Sequence, residues 1–268
     1  DLSIDYGKQI SKDFSLQFKG TFTFATNKVL EYDEPMDTRK ANSKVGHSVN
    51  QIFGYVADGL YRDEEDLKNS PSSTLGNIAI APGDIKYLDQ PNNEGVFDGK
   101  IDSDDKVALG YPTIPEIVYG FGPSMGYKKW DFSFFFQGVA RRSFMINASS
   151  FAPFGVQYHR NVVEFIAEDY WSVDNPNPYA KYPRLTVDNN NHNNQSSSYW
   201  LRNGAFLKLK NIELGYSFNK NIRLYVSGEN VLTFAPFKEW DPEMGADGAV
   251  TYPNQRTISL GIQMNFNK

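Results

Sequence analysis

Cysteine is absent from the 268 residues, which excludes a disulfide framework, a thiolate metal site and a thiol nucleophile. No run approaches the roughly 18 apolar residues of a transmembrane helix, and mean hydropathy is −0.52. Helical spans are thereby excluded, whereas a barrel is not, because barrel strands hide the lipid signal in alternation. A basic excess is also missing: 27 Lys and Arg face 32 Asp and Glu, for a net charge of −5 and a pI near 5.3. That balance argues against nucleic acid as a partner. The only three histidines, His47, His159 and His192, show no zinc spacing. A signal peptide is not visible either; "DLSIDYG" opens the chain in strand-like sequence, as expected if a leader has been removed or if this is an internal piece of something longer.

Aromatic residues, by contrast, make up 15% of the chain, with 20 Phe and 16 Tyr, and favour strands. In "FSLQFKGTFTFAT", Phe14, Leu16, Phe18, Phe22 and Phe24 share one face, with Ser15, Gln17, Lys19, Thr21 and Thr23 on the other. "IVYGFGPSMGYKKWDFSFFFQG" reads as a hairpin turning near Lys128 and Lys129. Tyr119, Phe121, Met125 and Tyr127 precede the turn on one face, Trp130, Phe132, Phe134 and Phe136 follow it, and Phe135 is the one aromatic on the polar side. "NIELGYSF" and "IRLYVSGENVLTF" form another hairpin, and "TISLGIQMNF" a last strand with Ile258, Leu260, Ile262, Met264 and Phe266 in one row. Short turns alternate with long connections near 27–50, 57–114, 141–198 and 234–255, the mark of an up-and-down barrel. Asp63–Ser70 alone looks like a short helix, and "DNNNHNNQSSS" reads by composition as a solvated loop.

Alternating strands also arise on the packed face of a soluble β-sandwich. Three features favour lipid instead. The strands are about ten residues long, the span a tilted transmembrane strand requires. Their polar face is small (Gly, Ser, Thr, Gln, Asn), as in a wet lumen. Tyr127, Trp130, Tyr216 and Phe218 sit near strand ends, where aromatic girdles meet headgroups. The terminal strand, through Ser259, Gly261, Met264 and Phe266, also resembles the C-terminal targeting signal of bacterial outer-membrane barrels, although Asn267 and Lys268 follow the aromatic.

Longer stretches then carry a family likeness: "IFGYVADGLYRDEEDL", "GDIKYLD", "DGKIDSDDKVALGYPTIPEIVYGFGPSMGYKKWDFSFFFQG", "YWLRNGAFLKLKNIELGYSF", "LYVSGENVLTF" and "DPEMG". In this order they resemble the C-terminal part of SusC/RagA-type TonB-dependent transporters of Bacteroidetes, over most of the chain. The resemblance implies an all-β fold, the C-terminal portion of a large antiparallel transmembrane barrel, 22-stranded in the family. It also implies a bacterial outer-membrane location, a SusD-like surface lipoprotein as lid, and the TonB–ExbB–ExbD complex as energy source. The cargo so implied is oligosaccharides or peptides. About eight or nine strands are countable here, too few to close such a barrel. Residues 1–268 are thus expected to be its C-terminal portion, without plug or TonB box, facing membrane lipid and completed by the rest of the same barrel. An independent eight-stranded barrel would need much shorter loops, and a secreted carbohydrate-binding β-sandwich is the alternative from another class.

Few constellations suggest chemistry. In "FDGKIDSDDK", Asp98, Gly99, Asp102 and Asp105 match the back half of an EF-hand-like loop. Glu94 and Val96 fall on its early ligand positions. Against the family's usual pattern the chain carries an insertion there, which leaves Asp89 as a displaced first ligand for calcium or magnesium. The competing reading is a turn whose Asp side chains bond their own backbone. "GPSMG" around Ser124 matches a nucleophile elbow, but strand continues through it where the elbow needs a turn into a helix, and no catalytic residue is expected. Trp171, Trp200 and Trp240, near Tyr170, Tyr179, Tyr182 and Tyr199, are candidates to stack on a sugar, or else to pack the loops. The run Asp169 to Leu185 looks like the family's extracellular loop near the lipoprotein.

Overall fold

The computed structural model describes residues 1–36, 38–146, 153–154, 161–247 and 251–266. Seven long strands form one antiparallel sheet: β1 (Leu2–Gln9), β2 (Phe14–Phe24), β3 (Ile117–Tyr127), β4 (Trp130–Ala140), β5 (Phe206–Ser217), β6 (Ile222–Phe234) and β7 (Thr257–Met264). Each pairs with its chain neighbour, so the sheet is a meander. Residues 10–13, 128–129 and 218–221 turn tightly at one end, and 25–116, 141–205 and 235–256 connect the strands at the other. Eight or nine strands were expected, and seven long ones are described; short strands such as Ile52–Gly54 and Leu201–Asn203 belong to the loops.

Register keeps every apolar row on one face. Leu2 stands opposite Phe22, Phe22 opposite Tyr119, Phe132 opposite Met125 and Leu214, and Val226 opposite Leu214 and Leu260. Phe121, Phe134 and Phe136 touch ring to ring on this face, with centroids 5.6 and 5.7 Å apart. At the tight-turn end, Phe14, Tyr127, Trp130 and Tyr216 stand in a line across four strands, and Phe218 meets Tyr216 at 5.0 Å. This is an aromatic belt at one boundary of an apolar band.

Backbone ladders join each long strand only to its neighbours in the sheet. Nothing covers the apolar row of β7: Ile258 is 73% exposed, Leu260 78% and Ile262 59%. A sandwich would bury such a row under a second sheet; a barrel wall leaves it to lipid.

The buried core lies instead in the three long connections. Tyr55, Leu60, Ile85, Tyr87 and Ile101 from the first pack against Phe144, Ile146, Ile166, Trp171, Tyr182 and Trp200 from the second and Phe237 from the third. Short ladders brace this cap, pairing Ile52–Gly54 with Val107–Leu109, Ala57–Leu60 with Ile85–Tyr87, and Ser143–Met145 with Leu201–Asn203. The expected helix is present as α1 (Glu64–Lys68), where the Asp63 side chain accepts from the Asp66 amide at 2.7 Å as N-cap. A second single turn, Glu164–Ala167, was not foreseen.

Candidate functional site

The polar face of the wall is lined by small side chains, and two glycines give it relief. A Cβ on Gly120 or Gly122 would overlap Phe135 or its strand, so the Phe135 ring, on the polar side, lies across them. Beside Phe135 a groove of about 410 Å³ is lined by Asp5, Gln17, Lys19, Ser124, Ser133 and Asn211. Toward the tight-turn end, Arg223 holds two carboxylates of neighbouring strands. Its Nε donates to Asp131 at 2.9 Å, and its Nη2 donates to Glu213 at 2.6 Å and to Asp131 as well. The strands alternate polar and apolar as a lumen wall does, and these ion pairs belong to the watery side.

Near the opposite end, strand alternation aims both Lys208 and Lys210 of β5 inward, and a bulge between Leu209 and Asn211 brings Asn211 to the same side. Lys208 is fully buried, and its ammonium bonds Asp241 at 2.5 Å and Glu243 at 2.6 Å; Lys210 bonds both oxygens of Glu243 at 2.6 and 2.7 Å. Burial pushes both acids up, but the lysine hydrogen bonds outweigh it and hold them below the ordinary carboxylate range. The third connection is thereby latched to the wall. Arg142 ties it to the other two, donating from Nη1 to the Pro242 carbonyl at 3.1 Å and from Nε to the Thr113 carbonyl at 3.2 Å.

The cap has a polar centre at Asp84, which is fully buried. Arg184 grips it with two bonds of 2.8 and 2.9 Å, and Asn190, Asn193 and the Ala81 amide donate at 3.0, 2.8 and 2.9 Å. The asparagine tract is therefore no solvated loop in its middle: Asn190, His192 and Asn193 are buried. Composition misread it because each amide exchanges water for a fixed partner around one carboxylate. His192 bonds the Ile85 carbonyl at 2.7 Å and the Ser73 hydroxyl at 3.2 Å, and burial pushes its pKa below the ordinary value.

The tryptophans sit inside the cap. Trp171 and Trp200 are buried and Trp240 half-buried; the Trp200 indole donates to the Asn193 carbonyl and that of Trp240 to the Gly245 carbonyl, both at 2.7 Å. Trp171 lies against Gly83, whose φ of +86° and missing Cβ let the indole approach. Exposed rings stand elsewhere, with Tyr179 89% and Tyr252 78% accessible. No motif signalled this exchange, since an indole that packs a loop and one that stacks on a sugar look alike in sequence.

The acidic loop folds as a turn. Asp102 accepts from the Asp104 amide, Asp105 from the Gln90 and Asp102 amides, Asp98 from Lys100 and Asp89 from Gly99, at 2.8 to 2.9 Å. Arg39, from the first connection, stands among Asp98, Asp104 and Asp105 at 3.4, 3.7 and 3.8 Å. Among the described residues no three carboxylates or histidines converge on one point. The oxygens of Asp89, Asp98, Asp102 and Asp105 do not fit a calcium cage, since they do not converge and backbone amides and a guanidinium take most of them; Asp89 Oδ1 is buried without a hydrogen-bond partner among the described residues. Burial still pushes Asp105 above the usual carboxylate value and Tyr55 nearby up to about 12.

In β7, Gly261 faces the polar side opposite Tyr225, where a Cβ would overlap the phenol ring, and Met264 faces lipid opposite Ile222. Phe266 follows the strand, 89% exposed. Ser124 lies within β3, and His159 lies outside the described residues.

A wall with one lipid face, one wet face and long folded loops at one rim defines a segment of a large antiparallel transmembrane barrel. The chain is similar to TonB-dependent receptors, SusC among them, and shares their barrel fold. It is 29% identical over 266 residues to TonB-dependent receptor P26 of Formosa agariphila, covering 88% of this chain and 24% of that protein. To TonB-dependent receptor SusC of Bacteroides thetaiotaomicron it is 25% identical, covering 99% and 26%. The RagAB peptide transporter structure superposes with a TM-score of 0.66 at 20% identity, over 98% of this chain and 28% of that one, which shows the shared fold. The chain spans about a quarter of the length of the curated relatives it matches. No family model matches it.

Proposed function

We propose that the chain is the C-terminal wall and mouth of a TonB-dependent importer in the bacterial outer membrane. The observation that carries this reading is the bare apolar face: a sheet with the β7 row open to solvent on one side and a polar lumen side on the other is stable only where lipid supplies the missing contacts. Homology to receptors of this name supports the energy source. The plug and TonB box belong to residues outside this chain, through which the TonB–ExbB–ExbD complex acts. A SusD-like lipoprotein closes the mouth over the cap, and oligosaccharides or peptides are the cargo. The chain performs no covalent chemistry; its residues shape, gate and hydrate a path. Gly261, Met264 and Phe266 form the strand read by the outer-membrane assembly machinery, with Gly261 making room for Tyr225. The sandwich alternative lacks the second sheet it needs.

The test is the full-length protein, extracted and assayed with and without detergent. Folding only in detergent or bilayer, with uptake abolished when TonB is deleted, is the expected result. A folded monomer in plain buffer would sink the barrel reading, and TonB-independent uptake the importer reading.

A further inference from the structure

Lys181, Arg202 and Lys238 line one cleft of about 400 Å³ at the rim, between the second and third connections. Pro236 and Phe237 form an apolar flank, and Asn203 and Glu239 complete the lining. Lys181 and Lys238 are exposed, and none of the three cations has an ion pair among the described residues. Glu239, the one acid present, is turned to the Lys238 amide at 3.1 Å. Arg202 is half-buried, and two carbonyls, of Tyr199 and Leu201, fix its Nη1 at 2.8 and 3.1 Å. Its fork is thus oriented before any ligand arrives, which lowers the ordering cost of a bidentate contact. Three like charges gathered against the single carboxylate of Glu239, one of them rigid, concentrate positive potential on an otherwise acidic protein.

We propose that this cleft is an oxyanion subsite, which takes a carboxylate or sulfate group of an acidic oligosaccharide at the mouth. It deepens the import reading by naming a class of cargo. Two residues before Lys181, outside the lining of the cleft, stands Tyr179, whose ring is 89% exposed; an open aromatic ring next in the chain to the cleft suits a sugar that carries the charge better than a free anion.

The test uses the full-length receptor in detergent, with an oligogalacturonate and a sulfated oligosaccharide as probes. A neutral oligosaccharide of equal length and a polyglutamate peptide serve as comparators. At least one acidic sugar should bind more tightly than the neutral one. The triple variant Lys181→Gln, Arg202→Gln, Lys238→Gln should lose about tenfold or more of that affinity and most of its salt dependence. Replacing Lys181 and Lys238 by Arg should retain binding, which separates charge from fold, as should an unchanged heat-modified gel shift. Equal affinity in wild type and triple variant, no preference for either acidic sugar over the neutral one, or a loss confined to polyglutamate would each overturn the proposal. Binding in detergent does not depend on TonB, so an intact subsite in a protein that fails to transport would count against the import reading alone.

Discussion

In the wall, Ile258, Leu260 and Ile262 are 59 to 78% exposed; in the cap, Tyr55, Ile85, Ile101 and Ile146 are at most 1% exposed. The two regions share one chain and meet opposite solvents. The wall leaves its apolar contacts to the bilayer and needs only alternation, ladders and tight turns. The cap stands in water and has to build its own interior from irregular backbone, so it draws on buried polar groups such as Asp84 and Lys208 to satisfy and orient loops that have few ladders. Stability in the first is a property of the medium, and in the second of specific partners.

The largest expected effect falls on the cap. Asp84→Ala removes the carboxylate that Arg184, Asn190 and Asn193 share as acceptor and should destabilise the cap by about 3–5 kcal/mol. Limited proteolysis of the loops should rise while heat-modifiable barrel migration persists; coupled loss of both would break the distinction between the regions. In the wall, Leu260→Arg should cost about 2–4 kcal/mol in lipid vesicles, whereas Ser259→Arg, one residue away on the lumen side, should cost much less. Equal costs in denaturant titrations would show that the two faces do not differ in solvent. At the junction, Lys208→Met removes the cation shared by Asp241 and Glu243 and should release the third connection for about 2 kcal/mol, seen as faster hydrogen exchange at the Met244 amide with β5–β6 unchanged. The smallest effect concerns pH. His192 faces Asp84, Arg184 and Tyr87, and burial favours its neutral form. The unfolded cap therefore takes up the proton first, and cap stability declines as pH falls below the ordinary histidine value toward the lower folded one. Exchange at the Ile85 amide should quicken over that window, and His192→Gln should flatten the response.

The wall was largely legible in the sequence, because period two is a local property: Phe14 to Phe24 and Ile258 to Met264 show their faces without knowledge of their partners. The aromatic belt of Tyr127, Trp130, Tyr216 and Phe218 was legible for the same reason. The cap was not. Arg39 among the acidic loop's carboxylates, the Asp84 centre and the latch at Lys208 each join residues more than thirty positions apart, and no spacing rule connects them. The loop from Asp98 to Asp105 read first as a set of caps and second as a cation cage; the backbone amides on its carboxylates and the position of Arg39 distinguish the two.

This separation has a kinetic side. Three of the six wall pairings are hairpins closed by turns of a few residues, so those strands can zip as they meet the membrane. Cap contacts such as Asn193 to Asp84 and Ala57 to Ser198 span 109 and 141 positions. They form only once the strands between them have brought the loop ends together, and loop-closure entropy delays them. The cap is therefore the last part to mature, after the strands beneath it have already paired.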